Sequence, residues 1–252
     1  MPSSRQPHRL SPSAMRESVS SAVILAGAAA AAAYPMIYYQ SLHLVSPLLT
    51  RPLNPDQTLV FTIGHALLLF AACLLCALVG FLYSARLNLP GFGSFSRDHR
   101  LLPLFFAGGL LLIPGVFFLV DSKFHARLPA YFPADLPWAL AMTLGQTFAP
   151  EVIARFGQIT IGVYLLRWLR FSGHPWPAVL AVAVLGVAGS WISQSRLHLD
   201  PGLNSFTLSC LCFAFLSNLL FGEVYLRRGL LASLALRLGL ELKYPLYAWF
   251  LS

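Results

Sequence analysis

Four ionisable residues of this sequence lie in two pairs within otherwise apolar stretches: Glu151 with Arg155, and Arg237 with Glu241. The members of each pair are four residues apart, so in a helix they share one face and can form an ion pair. Ionisable groups at membrane depth cost about 2.5–3.5 kcal/mol each on insertion scales, which makes them candidates for function. A carboxylate can act as a general base, and a guanidinium can stabilise developing negative charge. Each pair can equally be structural, because an internal ion pair lowers the cost of insertion without any chemistry.

A third stretch repeats this spacing with Gln194 and His198. Three helices would then each present polar groups on one face, which favours a shared polar pocket inside a helical bundle over three unrelated pairs. His198 lies near the end of an apolar run, where a histidine is also typical of the membrane interface. Directly before Glu151, Pro150 removes a backbone hydrogen bond and predicts a kink that can form part of the pocket wall.

The elements that carry these residues are predicted from composition. Of the 252 residues, 57% are hydrophobic and 10% are charged, whereas soluble globular proteins carry about a quarter charged residues. An apolar run needs roughly 20 residues to cross a bilayer as a helix. The fold class is therefore predicted as all-α, a polytopic transmembrane helical bundle of about seven spans. The apolar runs occupy positions 19–39, 58–83, 101–120, 136–166, 175–195, 204–222 and 229 to the C-terminus.

Two regions of different character are predicted along the chain. Residues 1–18 form a polar, basic tail that we expect to be disordered and cytoplasmic, and residues 19–252 form the integral membrane domain. A cleaved signal peptide ending at 28–33 is the disfavoured alternative, because the apolar run continues to Tyr39. Ten Lys and Arg residues outside the spans lie on the N-terminal side and five on the other, so the positive-inside rule predicts a cytoplasmic N-terminus. The five are Arg51, Lys123, Arg127, Arg196 and Lys243.

Several classes of function are disfavoured by the same sequence. The net charge of +8 comes from basic residues scattered between apolar runs, unlike the clustered basic and aromatic residues of a nucleic-acid surface. All four cysteines lie in apolar runs, which excludes the disulfide framework of small secreted proteins. Cys73 and Cys76 share a helix face but are more typical of small apolar core residues than of a thiol or metal site. The sequence has no internal repeat, which weighs against a secondary transporter.

The polar stretches resemble the motifs of the CPBP family of membrane-embedded endopeptidases, which groups CAAX prenyl proteases with bacteriocin-processing and immunity proteins. The first motif of the family has two adjacent glutamates, then three residues and an arginine. Positions 150–157 of this chain have the similar sequence Pro-Glu-Val-Ile-Ala-Arg-Phe-Gly. The second motif, an aromatic residue followed four positions later by histidine, is similar to Gln194 and His198.

The third motif, a histidine followed four positions later by asparagine or aspartate, aligns with Arg237 and Glu241. Positions 221–230 before it are similar to the glycine, tyrosine, arginine and glycine pattern of the family. The loop at 80–90 is also similar, so the resemblance covers about residues 65–245. It implies a membrane-embedded site assembled from three helices.

The departures from the family pattern fall on its catalytic positions. In the family, the first glutamate and the second-motif histidine activate a water, and the third-motif histidine and asparagine stabilise the oxyanion. Here Pro150 takes the place of that glutamate, while Arg237 and Glu241 take the places of histidine and asparagine. The resemblance therefore implies an endopeptidase homologue with altered or lost peptidase activity on membrane-anchored peptides.

A retained activity would need new roles for the remaining polar residues. Glu151 or Glu241 would act as the base together with His198, Arg237 would donate to the oxyanion, and Arg155 would be a structural ion-pair partner. A carboxylate held by arginine is a weak base, which disfavours this assignment. The catalytic candidates are Glu151, His198, Arg237 and Glu241.

Two other functions stay open. A non-catalytic member would bind a membrane-anchored peptide or lipidated tail in the same pocket, as a regulatory or immunity-type protein. A small transporter, in which buried Glu and Arg handle an ion or proton, has less support. The expected partners are the lipid bilayer and a membrane-anchored peptide or protein, in a membrane predicted to be the bacterial cytoplasmic one. No cofactor and no set of metal ligands is predicted, because His198 is the single histidine on the three motif helices and catalytic zinc uses three protein ligands. Whether a metal binds stays open.

Overall fold

The computed structural model describes residues 11–49, 51–93, 100–171, 173–196 and 204–250. Helices make up most of these ranges, and no strand occurs in them. The predicted all-α class is therefore confirmed. The α-helices, numbered in chain order, are α1 Pro12–Gln40, α2 Pro55–Tyr83, α3 Leu102–Val116, α4 Ser122–Arg127, α5 Leu136–Glu151, α6 Thr160–Trp168, α7 Trp176–Arg196, α8 Ser205–Arg228, α9 Leu230–Glu241 and α10 Lys243–Phe250.

Several α-helices continue into wider π-helical segments. Ser41–Val45 extends α1, Phe117–Asp121 joins α3 to α4, and Val152–Ile159 joins α5 to α6. Among the described residues, five helical stretches are long and apolar enough to cross a membrane, which indicates a polytopic membrane protein. The joined α5–α6 helix and the α9–α10 pair, both of which carry charged residues, are not among them. The five are Ser13–Leu48, Pro55–Tyr83, Leu102–Arg127, Trp176–Arg196 and Ser205–Arg228.

The first helix begins earlier than the sequence predicted. Residues 12–18, assigned above to a disordered tail, form the first two turns of α1. The hydroxyl of Ser11 accepts a hydrogen bond from the backbone N–H of Ala14, and Pro12 occupies the first helical position. Both features favour the start of a helix at this point. Residues 1–10 of the predicted tail lie outside the described residues.

The alanine-rich part of α1 is a packing face. Ala22, Ala26, Ala29 and Ala33 are all 0% exposed, and α1 packs against both α2 and α5. Small residues at a spacing of three or four allow helix backbones to approach closely, which is how helices commonly associate in membranes. The composition that resembled the end of a signal peptide thus serves helix packing.

Helices α3 and α9 cross at very short distance. A Cβ atom added to Gly109 of α3 would overlap the carbonyl oxygen of Leu236, and one added to Gly239 of α9 would overlap the carbonyl oxygen of Phe106. The two backbones are therefore almost in contact at these glycines. This crossing holds α9, with its charged residues, inside the bundle.

The start of α9 is fixed by the loop that follows α2 in the sequence. Gly229 separates α8 from α9 and has a φ of 88°, a conformation that favours glycine. The next two backbone N–H groups donate hydrogen bonds to this loop. Leu230 donates to Gly91 O at 3.0 Å, and Leu231 donates to Phe92 O at 3.1 Å. These bonds satisfy donors that the first turn of a helix cannot pair internally.

Candidate functional site

Glu151 and Arg155 lie where α5 passes into a π-helical segment. Pro150 has no backbone N–H, and its ring crowds the carbonyl of the preceding turn, so regular α-helical bonding is disfavoured at this point. The eight residues Val152–Ile159 adopt the wider π-helix, a form that is frequent at functional sites. The sequence predicted a kink at Pro150, and the structure shows a change to a wider helix that continues into α6.

Glu151 is fully buried, with 0% exposure, and three side chains bind its carboxylate. Ser233 donates a hydrogen bond to Oε2, and Arg237 Nη1 donates one to Oε1 at 3.2 Å. Arg155 Nε lies 3.7 Å from Oε2, which is ion-pair distance. Two of the three partners belong to α9, so the carboxylate joins α9 to the π-helical segment.

Arg237 links the two ion pairs that the sequence predicted. Its Nε lies 3.5 Å from Glu241 Oε1, while its Nη1 binds Glu151. Thr143 of α5 donates a hydrogen bond to the main-chain oxygen of Glu241 at 2.9 Å. Both predicted pairs are therefore present, and they form one group of four side chains, here named the central ion-pair cluster: Glu151, Arg155, Arg237 and Glu241.

Helix α8 completes the surroundings of this cluster. Arg155 Nη1 donates to Asn218 Oδ1 at 2.7 Å. The guanidinium carbons of Arg155 and Arg237 lie 5.7 and 5.5 Å from the centre of the Phe221 ring, within the range of cation–π attraction. Sequence reasoning missed Asn218, Phe221 and Ser233, because a single amide, ring or hydroxyl in an apolar helix gives no distinctive signal.

The pairing inside the cluster is balanced in charge but incomplete in hydrogen bonds. Two carboxylates face two guanidiniums, and Arg155 and Glu151 are each 0% exposed. Within the described part of the chain, Arg155 Nε and Nη2 and Arg237 Nε are buried without a hydrogen-bond partner. Ion-pair attraction without hydrogen bonding leaves part of the desolvation cost of a guanidinium uncompensated.

A cavity of about 320 Å³, here named the central cavity, lies beside the cluster. Its wall includes Pro150 and three amide side chains, those of Gln146, Gln158 and Asn218. Apolar residues of α1, α2 and α7 also line it. The neighbouring Glu151 carboxylate instead binds α9, as described above. The sequence predicted a pocket lined by the charged residues themselves, whereas the central cavity is lined by the residues next to them.

A second cavity of about 550 Å³, here named the outer cavity, lies toward the C-terminal ends of α1 and α7. Gln194, which the sequence placed in the shared pocket, lines this cavity and not the central one. Gln146 lines both cavities, so they are adjacent. His198, the fourth catalytic candidate, lies outside the described residues.

A second charged group lies at the end of the π-helical segment that follows α3 and is here named the end cluster: Asp121, Lys243 and Tyr247. Lys243 Nζ lies 2.9 Å from Asp121 Oδ2 and 3.2 Å from Oδ1, and the Tyr247 hydroxyl donates to Oδ2 at 3.0 Å. Lys243 was counted above among loop residues, but it is only 6% exposed and forms a buried ion pair. The partners are 122 residues apart, so no spacing rule could reveal them.

In the described ranges, no group of three or more His, Cys, Asp and Glu side chains is placed to hold a metal ion. Cys73 and Cys76 are free thiols in α2, where they pack with the apolar core.

Comparisons of the chain with models of known families, with curated proteins and with solved structures gave no significant match. Membership of the CPBP family therefore stays a prediction from the motif residues.

Proposed function

We propose that this chain is a membrane-embedded homologue of the CPBP endopeptidases that has lost peptidase activity and binds a membrane-anchored peptide. The observation that carries the proposal is the contrast between two adjacent residues. Glu151, the remaining carboxylate of the first motif, is held by Ser233, Arg155 and Arg237, whereas Pro150 lines the central cavity. The position facing the cavity thus carries no proton acceptor.

The bonding of Glu151 argues against its use as a general base. Such a base must lie within hydrogen-bond reach of the water or group that it deprotonates. Both oxygens of Glu151 already have partners, and the residue is 0% exposed. Because no part of the residue is exposed, a water could reach the carboxylate only if a side chain packed around it moved away. The positive charge of Arg237 is already shared between two carboxylates, which weakens its attraction for an oxyanion.

The central cavity is suited to binding. Its volume of about 320 Å³ falls in the range of ligand pockets, which are mostly apolar with a few placed polar groups. Gln146, Gln158 and Asn218 supply amides in an otherwise largely apolar wall. Apolar surface accommodates a membrane-embedded segment, and amides can bond to its polar groups. Binding without cleavage would serve a regulatory or immunity-type role.

We also propose that the α5–α6 helix and the α9–α10 pair cross the membrane, which gives seven spans with the five apolar stretches. The central ion-pair cluster supports this, because each cation neutralises a carboxylate that would otherwise be costly to insert. The excess of basic residues on the N-terminal side supports a cytoplasmic N-terminus, and we place the protein in a bacterial cytoplasmic membrane as part of the same proposal.

The experiment uses purified protein in lipid nanodiscs and a library of fluorogenic peptides, each with one transmembrane anchor and a variable flanking segment. Fluorescence release measures cleavage, and co-purification with mass spectrometry measures binding. We expect a subset of peptides to be retained by the wild type without cleavage. Ala154→Trp, which fills the central cavity from the π-helical segment, should abolish retention.

Ala28→Trp is the matched control, because Ala28 is exposed on α1 and lies in neither cavity. Cleavage by the wild type that disappears in His198→Ala would contradict the loss of activity. Equal retention by Ala154→Trp and the wild type would contradict the central cavity as the binding site. Retention of no peptide at all would contradict the binding function.

A further inference from the structure

Three helices each bring one primary amide to the outer cavity: Gln40 from α1, Gln146 from α5 and Gln194 from α7. A primary amide both donates and accepts hydrogen bonds and carries no charge. A backbone peptide group is likewise uncharged, with an N–H donor and a C=O acceptor. An apolar membrane protein has little reason to collect three such groups around one cavity unless they meet a ligand of matching polarity.

Gln194 has the clearest unfilled bonding capacity of the three. It is only 3% exposed, and its Nε2 donates to Ser190 Oγ at 3.2 Å. Its Oε1 is buried and has no hydrogen-bond partner within the described part of the chain. A buried acceptor without a partner carries the full cost of its desolvation. An N–H or O–H donor from a ligand would remove that cost.

The other two amides have weak partners that a ligand could replace. Gln146 Nε2 lies 3.4 Å from the Tyr131 hydroxyl, near the limit for a hydrogen bond. Gln40 Nε2 lies 3.8 Å from the sulfur of Met142, and a thioether is a weak acceptor. Neither amide would lose much by exchanging its partner.

The chemistry of these amides separates two forms of a bound peptide. A helical segment pairs its own backbone groups, so it would offer no free backbone N–H donor to Gln194 Oε1. An extended segment presents unpaired N–H and C=O groups, which must find partners where water is scarce. The volume of about 550 Å³ accommodates several residues, and Leu44, Val45 and Phe124 supply apolar surface for their side chains.

We infer that the outer cavity holds an extended, non-helical part of the bound peptide, an inference that rests on the proposed function. One backbone N–H group of that part donates a hydrogen bond to Gln194 Oε1. Gln146 lines both cavities, so the peptide passes from the outer cavity into the central cavity along this residue. Gln194 is then a residue that selects for an unwound backbone, independently of the side chains of the peptide.

The test uses a library peptide that the wild type retains, prepared unmodified and with each backbone nitrogen of the flanking segment methylated in turn. Methylation removes one N–H donor and leaves the side chains unchanged. We expect one position at which methylation weakens binding by about three- to tenfold, the usual effect of one hydrogen bond. Gln194→Met should weaken the unmodified peptide by a similar factor and show no further loss on methylation at that position.

Ser195→Ala is the control, because the hydroxyl of Ser195 bonds within its own helix to Trp191 O; it should keep the full methylation effect. A photoreactive group placed beside the sensitive position should label the outer cavity of the wild type, a readout that needs no variant. A scan without any sensitive position, an equal methylation effect in Gln194→Met, or labelling elsewhere would overturn the inference while leaving peptide binding intact. Failure of the wild type to bind any peptide would overturn the proposed function and the inference with it.

Discussion

The two buried charged clusters of this protein differ in how completely their polar atoms are paired. In the end cluster, both oxygens of Asp121 have partners, Lys243 at 2.9 and 3.2 Å and Tyr247 at 3.0 Å. In the central ion-pair cluster, three buried nitrogen atoms of Arg155 and Arg237 lack a hydrogen bond within the described part of the chain. Nearly all buried polar groups in proteins are paired. Complete pairing is typical of a structural contact, and the incomplete cluster is the one beside a cavity.

Both clusters depend on the last two helices. Arg237 is contributed by α9 and Lys243 by α10, and a single residue, Leu242, separates these helices. The partners, Glu151 and Asp121, both lie at or inside π-helical segments. Helices α9 and α10 are therefore each joined by an ion pair to a helix that contains a π-helical segment. The comparison can be sharpened by removing one partner of each cluster in turn.

The largest effect is expected from the carboxylate of the central ion-pair cluster. Glu151→Ala leaves the guanidiniums of Arg155 and Arg237 buried with only Glu241 nearby, and we expect the free energy of unfolding to fall by about 3–5 kcal/mol. Glu151→Gln keeps an acceptor for Ser233 and should lose less. Equilibrium unfolding in mixed micelles, titrated with a denaturing detergent, measures both. Wild-type stability in Glu151→Ala would mean that the guanidiniums are hydrated and the cluster is open.

The end cluster should respond next most strongly. Lys243→Met leaves Asp121 with the Tyr247 hydroxyl alone, and we expect a loss of about 2–4 kcal/mol because one hydrogen bond to the carboxylate survives. Adding Asp121→Asn removes the unpaired charge, so the double variant should be more stable than the sum of the two single changes predicts. The same detergent titration measures the wild type, the two single variants and the double variant, which together form a double-mutant cycle. Additive losses would show that the two side chains do not stabilise each other.

The sequence was informative where interacting residues share one helix. Glu151 with Arg155, and Arg237 with Glu241, were predicted from a spacing of four residues, and both ion pairs are present. The composition likewise predicted an all-helical membrane protein. The contact between Glu151 and Arg237 spans 86 residues, however, so the joining of the two pairs depends on how α9 packs.

Contacts between distant elements, and hydroxyl or amide partners, could not be predicted. Ser233 binds Glu151 only because α9 crosses the π-helical segment at that point. Asp121 directly follows the apolar run at 101–120, and nothing in the sequence around it indicates Lys243 as its partner. The early start of α1 was missed because composition outweighed the capping signal of Ser11 and Pro12.

A moderate effect is expected where α3 crosses α9, at Gly109 and Gly239. Gly109→Ala would place a methyl group against the backbone of α9, and overpacking of this kind typically costs about 1–3 kcal/mol. Gly115→Ala on the same helix is the matched control, because a Cβ atom there meets nothing within 4 Å. The control should be neutral or gain up to about 1 kcal/mol from helix propensity. Equal stabilities of the two variants, measured by the same titration, would mean that the helices separate easily at this crossing.

The smallest effect is expected from a pair with the same spacing as Glu151 and Arg155. Glu223 and Arg227 are four residues apart in α8 and form an ion pair, but the side chains are 23% and 75% exposed. Exposed pairs contribute little, so Glu223→Gln should change the free energy of unfolding by less than about 0.5 kcal/mol. Because spacing is the same in both pairs, the difference between Glu223→Gln and Glu151→Gln isolates the contribution of burial and of the bonds from α9. Equal losses would mean that the helix spacing alone stabilises such pairs, and that the central ion-pair cluster gains nothing from its enclosed position.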